Sequence, residues 1–181
     1  MAEARPLQAP ELRTPRLLLR PHRISDFEAM AAMWADPATV RYIGDGHPID
    51  QDMVWARIQR LAGSWPLLGL GVWAMEEIAT GRVVGELGFL ERRRESVERG
   101  EPEVGWGLAS DARGRGFAGE ALEAVLAWGD ERFERTICVI SSENLPSVKL
   151  ARKYGYRETG PAPSDPPPLV QFERIRPGRA G

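Results

Sequence analysis

The sequence predicts one mixed α/β domain of the α+β kind, hairpin-rich in its front half and strand–helix–strand–helix in its back half. Three observations carry this. Apolar residues recur with period 2 in some segments and 3.6 in others. Two apolar runs, 70–77 and 82–90, flank Ala79-Thr80-Gly81 as a β-hairpin would. The longest helical pattern, 116–133, stands between two strand patterns.

The elements follow in order. Leu12–Arg20, with Leu17, Leu18 and Leu19, reads as a strand. Ser25 with Glu28 three residues on makes a capping box. Phe27, Met30, Ala31 and Trp34 then keep helical spacing over 26–35, and Pro37 stops the helix. Asp50 opens a second helix, with Val54, Ile58 and Leu61 on one stripe and Gly63 as its stop. The hairpin follows, then a strand over 102–109. In the long helix Ala118, Ala121, Leu122, Val125 and either Trp128 or Gly129 share a face. Thr136–Ser141 is a short β-branched strand. Asn144–Lys153 is a helix closed by Gly155. Tyr156–Thr159 and Leu169–Arg174 close the chain as strands, separated by the Pro-rich loop 161–168.

Composition excludes several classes. At 181 residues, one domain spans 12–175 between loose tails, 1–11 and 176–181. Apolar residues make up 43% and charged residues 28%, which is ordinary globular usage. A formal charge of −2, from 24 basic and 26 acidic residues, gives no chain-wide footprint for nucleic acid. The Arg92-Arg93-Arg94 run reads as a solvated hairpin loop between acids. No run of about 18 apolar residues offers a membrane span, and the N-terminus lacks a secretory pattern. The expected location is the cytoplasm. One Cys (Cys138) and two His (His22, His47) make a metal site unexpected.

The stretch Ser110–Ala121 carries the chemistry. Gly114, Gly116 and Gly119 let backbone approach a ligand. The first amides of the following helix lack internal partners and sit at its positive end. Together they form a cradle for phosphate or pyrophosphate, to which Arg113 and Arg115 would add charge. Gly114-x-Gly116-x-x-Gly119 also matches a dinucleotide fingerprint. However, Asp111, Ala112 and Arg113 intervene after the strand, and the chain left downstream is too short for a two-halved dinucleotide fold. No Gly-Lys-Ser/Thr follows, which excludes a nucleotide P-loop.

Read as Arg113-x-x-Gly116-x-Ala118, the same loop resembles the acyl-CoA pyrophosphate signature of the GNAT superfamily of N-acetyltransferases. Thr14-Pro15-Arg16-Leu17-Leu18-Leu19-Arg20 resembles the first strand of the branch containing ribosomal-protein N-terminal (alanine/serine) acetyltransferases. Glu103-Val104-Gly105-Trp106 is similar to its fourth strand, and Gly119-Glu120-Ala121-Leu122 to its helix start. Asn144-x-x-Ser147 and Lys153-Tyr154-Gly155-Tyr156 are similar to its closing pattern. The resemblance implies a twisted mixed sheet of about seven strands flanked by about four helices. The family's fourth and fifth strands would be splayed to admit a pantetheine arm.

It also implies acetyl transfer from acetyl-CoA, as co-substrate, to a primary amine, either a small molecule or a protein N-terminus. The pyrophosphate would lie on the amides of Gly114, Arg115, Gly116, Phe117, Ala118 and Gly119. Gly107, Leu108 and Ala109 would pair with the arm, and Asn144 would meet it from the next junction while capping its helix. Many members protonate the leaving thiolate with a Tyr four residues before the final Gly. Here that position is Ala151, so Ser147 is the candidate acid, or else the chain is a catalytically weak acyl-CoA-binding or regulatory module. Glu103 leads as general base, with Glu101 and Glu86 as alternatives. The loop between the first two helices commonly lines the acceptor site, which nominates Tyr42, Asp45 and His47. The expected assembly is a monomer or homodimer.

Overall fold

The computed structural model describes residues 8–91, 101–162 and 169–178. Arg92–Arg94 and residues 163–168 of the Pro-rich stretch lie outside them. The described residues form one eight-stranded sheet with five α-helices. The strands are β1 (Leu12–Arg13), β2 (Leu17–Arg20), β3 (Val72–Glu77), β4 (Arg82–Leu90), β5 (Glu103–Leu108), β6 (Arg135–Ser141), β7 (Arg157–Pro161) and β8 (Leu169–Ile175). Their spatial order is β1-β2-β3-β4-β5-β6-β8-β7. Every pair is antiparallel except β5–β6. The helices are α1 (Phe27–Ala35), α2 (Pro37–Val40), α3 (Gln51–Leu68), α4 (Phe117–Asp130) and α5 (Leu145–Lys153).

Three local differences from the sequence reading have physical causes. The single strand expected over 12–20 is a tight pair, with Leu12 opposite Leu19. Pro15 has no N–H to give a ladder. Thr14 closes the turn instead: its amide donates to the Leu17 carbonyl over 2.9 Å, and its hydroxyl accepts the Leu17 amide over 2.9 Å.

Ser25 does not cap α1. A 3-10 turn, Ile24–Asp26, precedes the helix, and the Asp26 carboxylate accepts the Arg23 amide over 2.7 Å. Pro37 ends α1 but opens α2 at its first position, where its missing N–H costs nothing.

Helix α3 runs through Gly63 and stops at Gly69, which adopts φ +75°. The buried stripe Val54, Ile58, Leu61 continues to Trp65. Trp65 packs edge-on against Trp73 at 4.6 Å and Trp128 at 5.6 Å. That aromatic burial outweighs the roughly 1 kcal/mol helix cost of one Gly.

The core has two parts. One gathers α4 with Leu17, Leu19, Trp73, Met75, Leu87, Phe89 and Val104. The other gathers α1, α2 and α3 through Met30, Met33, Trp34, Val40, Val54 and Ile58. Because strand side chains alternate, Trp73 and Val104 face the first, while Ala74, Glu86 and Glu103 face the second. At the N-terminus Ala9 is buried, and the Pro10 carbonyl accepts the Trp73 indole N–H over 2.6 Å.

Candidate active site

The sheet carries a split between β5 and β6. These two strands pair only at Glu103–Ile137, supported by the Ile137 amide donating to the Pro102 carbonyl over 3.1 Å. Beyond that vertex they diverge. On β5 the Ala109 amide donates to Val84 of β4 over 3.0 Å. Backbone groups alternate sides along an antiparallel ladder, so Glu103, Gly105, Gly107 and Ala109 turn toward β4. Val104, Trp106 and Leu108 turn toward β6: Val104 meets Ile137 at the vertex, and beyond it β6 offers Trp106 and Leu108 no pairing. Of the three backbones nominated from the sequence, Leu108 therefore faces the gap, while Gly107 and Ala109 are engaged with β4.

The split opens a cavity of about 440 Å³ that joins the two faces of the sheet. Glu103, Gly105, Trp106 and Gly107 line it from β5, and Cys138, Val139 and Ile140 from β6. Asn144 and Ser147 close one end; Trp34, Tyr42, Ile43, Arg57 and Glu86 close the other. Its room comes from missing side chains. A Cβ on Gly105 would meet only Leu90, and one on Gly107 only Ile43, both at 3.6 Å. Residues there with side chains would fit, and would fill the space.

At the wide end of the split lies the Gly-rich turn. Gly114 and Gly116 adopt φ +73° and +82°, and Gly116 stands at the N-cap of α4. The amides of 114–116 meet no carbonyl among the described residues, and they lead into the unpaired first turn of the helix. The arginine side chains behave differently from the sequence expectation. Arg113 is turned back onto the Leu108 carbonyl, at 3.3 Å from both Nε and Nη2, and onto the Ala38 carbonyl at 2.8 Å. Arg115 pairs with Glu77 and lies 4.3 Å over the Phe117 ring. The cradle is thus a backbone device. Arg16, which the sequence reading did not nominate, sits beside it: its Nη1 donates to the Arg115 carbonyl over 2.8 Å, and its Nη2 pairs with Glu120 at 2.7 Å. Glu120 in turn accepts the Thr14 hydroxyl over 2.6 Å. Phe117 is buried, while Ala118 and Gly119 continue the first turn.

Asn144 caps α5, its Oδ1 accepting the Ser147 amide over 3.3 Å. The Ser147 Oγ accepts the Trp106 indole N–H over 3.1 Å, and its own hydrogen meets no acceptor among the described residues. Ala151 is fully buried in the core. Tyr154 is a tie between helices, donating to the Gly119 carbonyl over 2.8 Å.

Two buried carboxylates line the cavity. Glu103, 5% exposed, stands at the vertex of the split; Glu86, 3% exposed, stands opposite Gly107. Both point to the face covered by α1–α3. Arg57 sends Nε, at 3.0 Å, and Nη2 to the same Glu86 oxygen, Oε1, and stacks 4.3 Å over Trp34. Glu101 lies outside the cavity, paired with Arg135. From the α2–α3 loop the structure brings Tyr42, Ile43 and Gly44 to the cavity. Asp45 and His47 do not reach it. They are exposed, with Asp45 accepting the His47 amide over 3.1 Å.

A larger depression of about 700 Å³ lies near Arg20, Asp26, Glu76, Arg82 and Asp111. Five of its charged groups satisfy one another: Arg20 pairs with Asp26 and Glu76, and Arg82 with Asp111.

Comparison with known proteins agrees with this architecture. The family model for the acetyltransferase (GNAT) domain matches residues 16–157. N-acetyltransferase p20 of Bacillus licheniformis is 27% identical over 152 residues, 82% of this chain and 83% of its own length. A GnaT-family acetyltransferase structure from Bordetella pertussis superposes with a TM-score of 0.80 at 31% identity, covering 92% of this chain and all of that one. RimL, a ribosomal-protein α-N-acetyltransferase solved in complex with coenzyme A, shares the fold at a TM-score of 0.74 and 15% identity, over 92% of this chain and 98% of its own.

Proposed function

Since this chain belongs to the GNAT acetyltransferase family, we propose that it moves an acetyl group from acetyl-CoA directly to a primary amine, on a small molecule or a protein N-terminus. The observation that carries this reading is the continuity of the site: an amide-lined cradle at the N-terminus of α4 opens into a split strand pair that ends in a cavity holding two carboxylates. The family implies acetyl-CoA, and the residues fit it. A pyrophosphate suits the amides of Gly114, Arg115, Gly116, Phe117, Ala118 and Gly119. The edge of β5 beyond the vertex, at the Trp106 backbone and the Leu108 amide, suits the amide-bearing pantetheine arm, which pairs there as a strand would.

The chain's own residues then divide the chemistry. The attacking amine must be neutral, and Glu103 at the vertex takes its proton, directly or through water. β5 amides facing the split are the available donors for charge developing on the thioester oxygen. Ser147 is the acid for the departing thiolate. Its oxygen already accepts from the Trp106 indole, which leaves the hydroxyl hydrogen free to be given. Tyr42, at the rim, contacts the acceptor.

A second reading, an acyl-CoA-binding module with weak catalysis, draws on Ala151, which puts no hydroxyl where many relatives carry one. One experiment separates the two. The protein is titrated with acetyl-CoA, CoA and NAD, and CoA release is followed across a panel of amines and peptide N-termini. Acetyl-CoA binding with amine-dependent release is expected. Binding without release on any acceptor supports the module, and NAD binding without CoA binding overturns both readings.

A further inference from the structure

Glu86 is held in a way that leaves half of it unused. Arginine and carboxylate commonly pair as fork to fork, two N–H groups on two oxygens. Here both N–H groups of Arg57 converge on Oε1. Oε2 is buried and has no hydrogen-bond partner among the described residues. Such an oxygen carries an unrecovered desolvation cost. The other titratable groups around it do not supply a partner. His22, buried within reach of the Glu86 charge, is driven toward its neutral form by burial, and both its ring nitrogens are themselves unpartnered among the described residues. Asp26 and Arg20 are committed to one another.

Position adds the second half of the argument. Glu86 pairs across the ladder with Gly107, four residues along β5 from Glu103. That separates the two carboxylates' backbone positions by about 13 Å. The strip between them is floored by Gly105 and Gly107, without side chains. An amine placed for proton transfer to Glu103 is therefore not the group that meets Glu86.

We propose that Glu86 determines acceptor specificity by receiving a second hydrogen-bond donor, an ammonium or hydroxyl, carried by the acceptor at a distance from the attacked amine. This rests on the acetyltransferase reading with Glu103 as base. Arg57 occupies Oε1, can follow a small rotation of the carboxylate, and stacks over Trp34 in the cavity wall. The terminal torsion of a glutamate is soft, so Oε2 turns into the cavity when a donor arrives. The acceptor class is a short chain with an amine at one end and a donor at the other, lying along the glycine strip.

The test uses α,ω-diamines and α,ω-amino alcohols of three to six carbons, each against the n-alkylamine of equal length. Binding to the CoA-loaded protein is measured by calorimetry, and kcat/KM is measured with acetyl-CoA. At the best-fitting length the second donor should improve both by at least tenfold. In Glu86→Gln, Arg57 retains the amide oxygen and turns the NH2, a donor, toward the cavity, so the advantage of each diamine over the n-alkylamine of equal length, both measured in the variant, should vanish. Should that variant fail to fold, the double variant Glu86→Met with Arg57→Met removes the pair together, and it too should lose the improvement. Equal values for diamines and n-alkylamines in the native protein, or a diamine preference that survives in either variant, overturns the proposal; the amino alcohols, whose hydroxyl also accepts, are compared in the native protein alone. If no amine is acetylated, the acetyltransferase reading fails by itself, and the calorimetric comparison still decides the role of Glu86.

Discussion

The Trp106 indole N–H lies 3.1 Å from the Ser147 oxygen, joining the splayed strand β5 to the first turn of α5 across the mouth of the cavity. A serine so placed has its acceptor side occupied and its hydrogen unassigned. Ser147→Ala should lower kcat by about 10²-fold, the lower range for loss of a general acid, with acetyl-CoA affinity within threefold of native. Trp106→Phe should give a smaller loss. Single-turnover kinetics with direct binding measurements check both; a Ser147→Ala enzyme of native kcat would place the acid elsewhere.

Gly116→Asp tests the cradle. At φ +82° any side chain costs about 1 kcal/mol or more, and a Cβ there would sit 3.3 Å from the Arg16 guanidinium. The larger effect is the carboxylate among amides that would receive a pyrophosphate. Acetyl-CoA affinity should fall at least tenfold while the circular dichroism spectrum stays native. Unchanged affinity in the folded variant would move the cofactor away from α4.

Glu103→Gln keeps shape and hydrogen bonding but cannot accept a proton at neutral pH. Turnover should fall by about 10²-fold with acetyl-CoA affinity retained, and the residual rate should rise with pH as more amine arrives neutral. An unaltered rate would pass the base role to another group.

Much of the architecture was legible because it is written locally. Leu17–Leu19, the Thr80-Gly81 turn and the α4 stripe each announce their period, whereas the split between β5 and β6 was implied by the family resemblance alone. What was not legible is set by contacts far apart in sequence. Gly63 signals a stop, yet Trp65 carries the helix on because Trp73 and Trp128 are waiting for it. Arg113 and Arg115 look like phosphate ligands from spacing, but Leu108, Ala38 and Glu77 claim their guanidinium groups. The cavity end lined by Trp34 and Tyr42 depends on Arg57 meeting Glu86 across 29 residues, which no local pattern marks. Asp45 and His47 share a loop with Tyr42, but the glycines at 44 and 46 turn them outward.

Asp26 should be a large contributor to stability. Burial pushes its carboxyl up, but the Arg20 fork at 2.8 Å on both oxygens and the Arg23 amide hold it below its ordinary value. A depressed carboxyl stabilises above its unfolded value and loses that contribution as pH falls through the folded one. Asp26→Asn should cost about 3 kcal/mol by urea unfolding at pH 7, the range for breaking a buried pair, and should blunt the loss of stability below about pH 4. A native midpoint in the variant would show Glu76 sufficient for Arg20.

His22 should shape stability at higher pH, with the opposite chemistry and the same direction. Burial lowers its value, the Glu86 and Asp26 carboxylates oppose that, and Arg57 and Arg20 add to it. A histidine lowered on folding binds a proton more readily in the unfolded chain. Stability therefore rises with pH in the window between the two values. The contribution is complete above about pH 6.5, the unfolded value, and is lost as pH falls below it. His22→Leu should flatten unfolding free energy between about pH 6.5 and 5, while His47 remains in both proteins and drops out of the comparison. A slope identical in native and variant protein would show that His22 gains its proton inside the fold without cost.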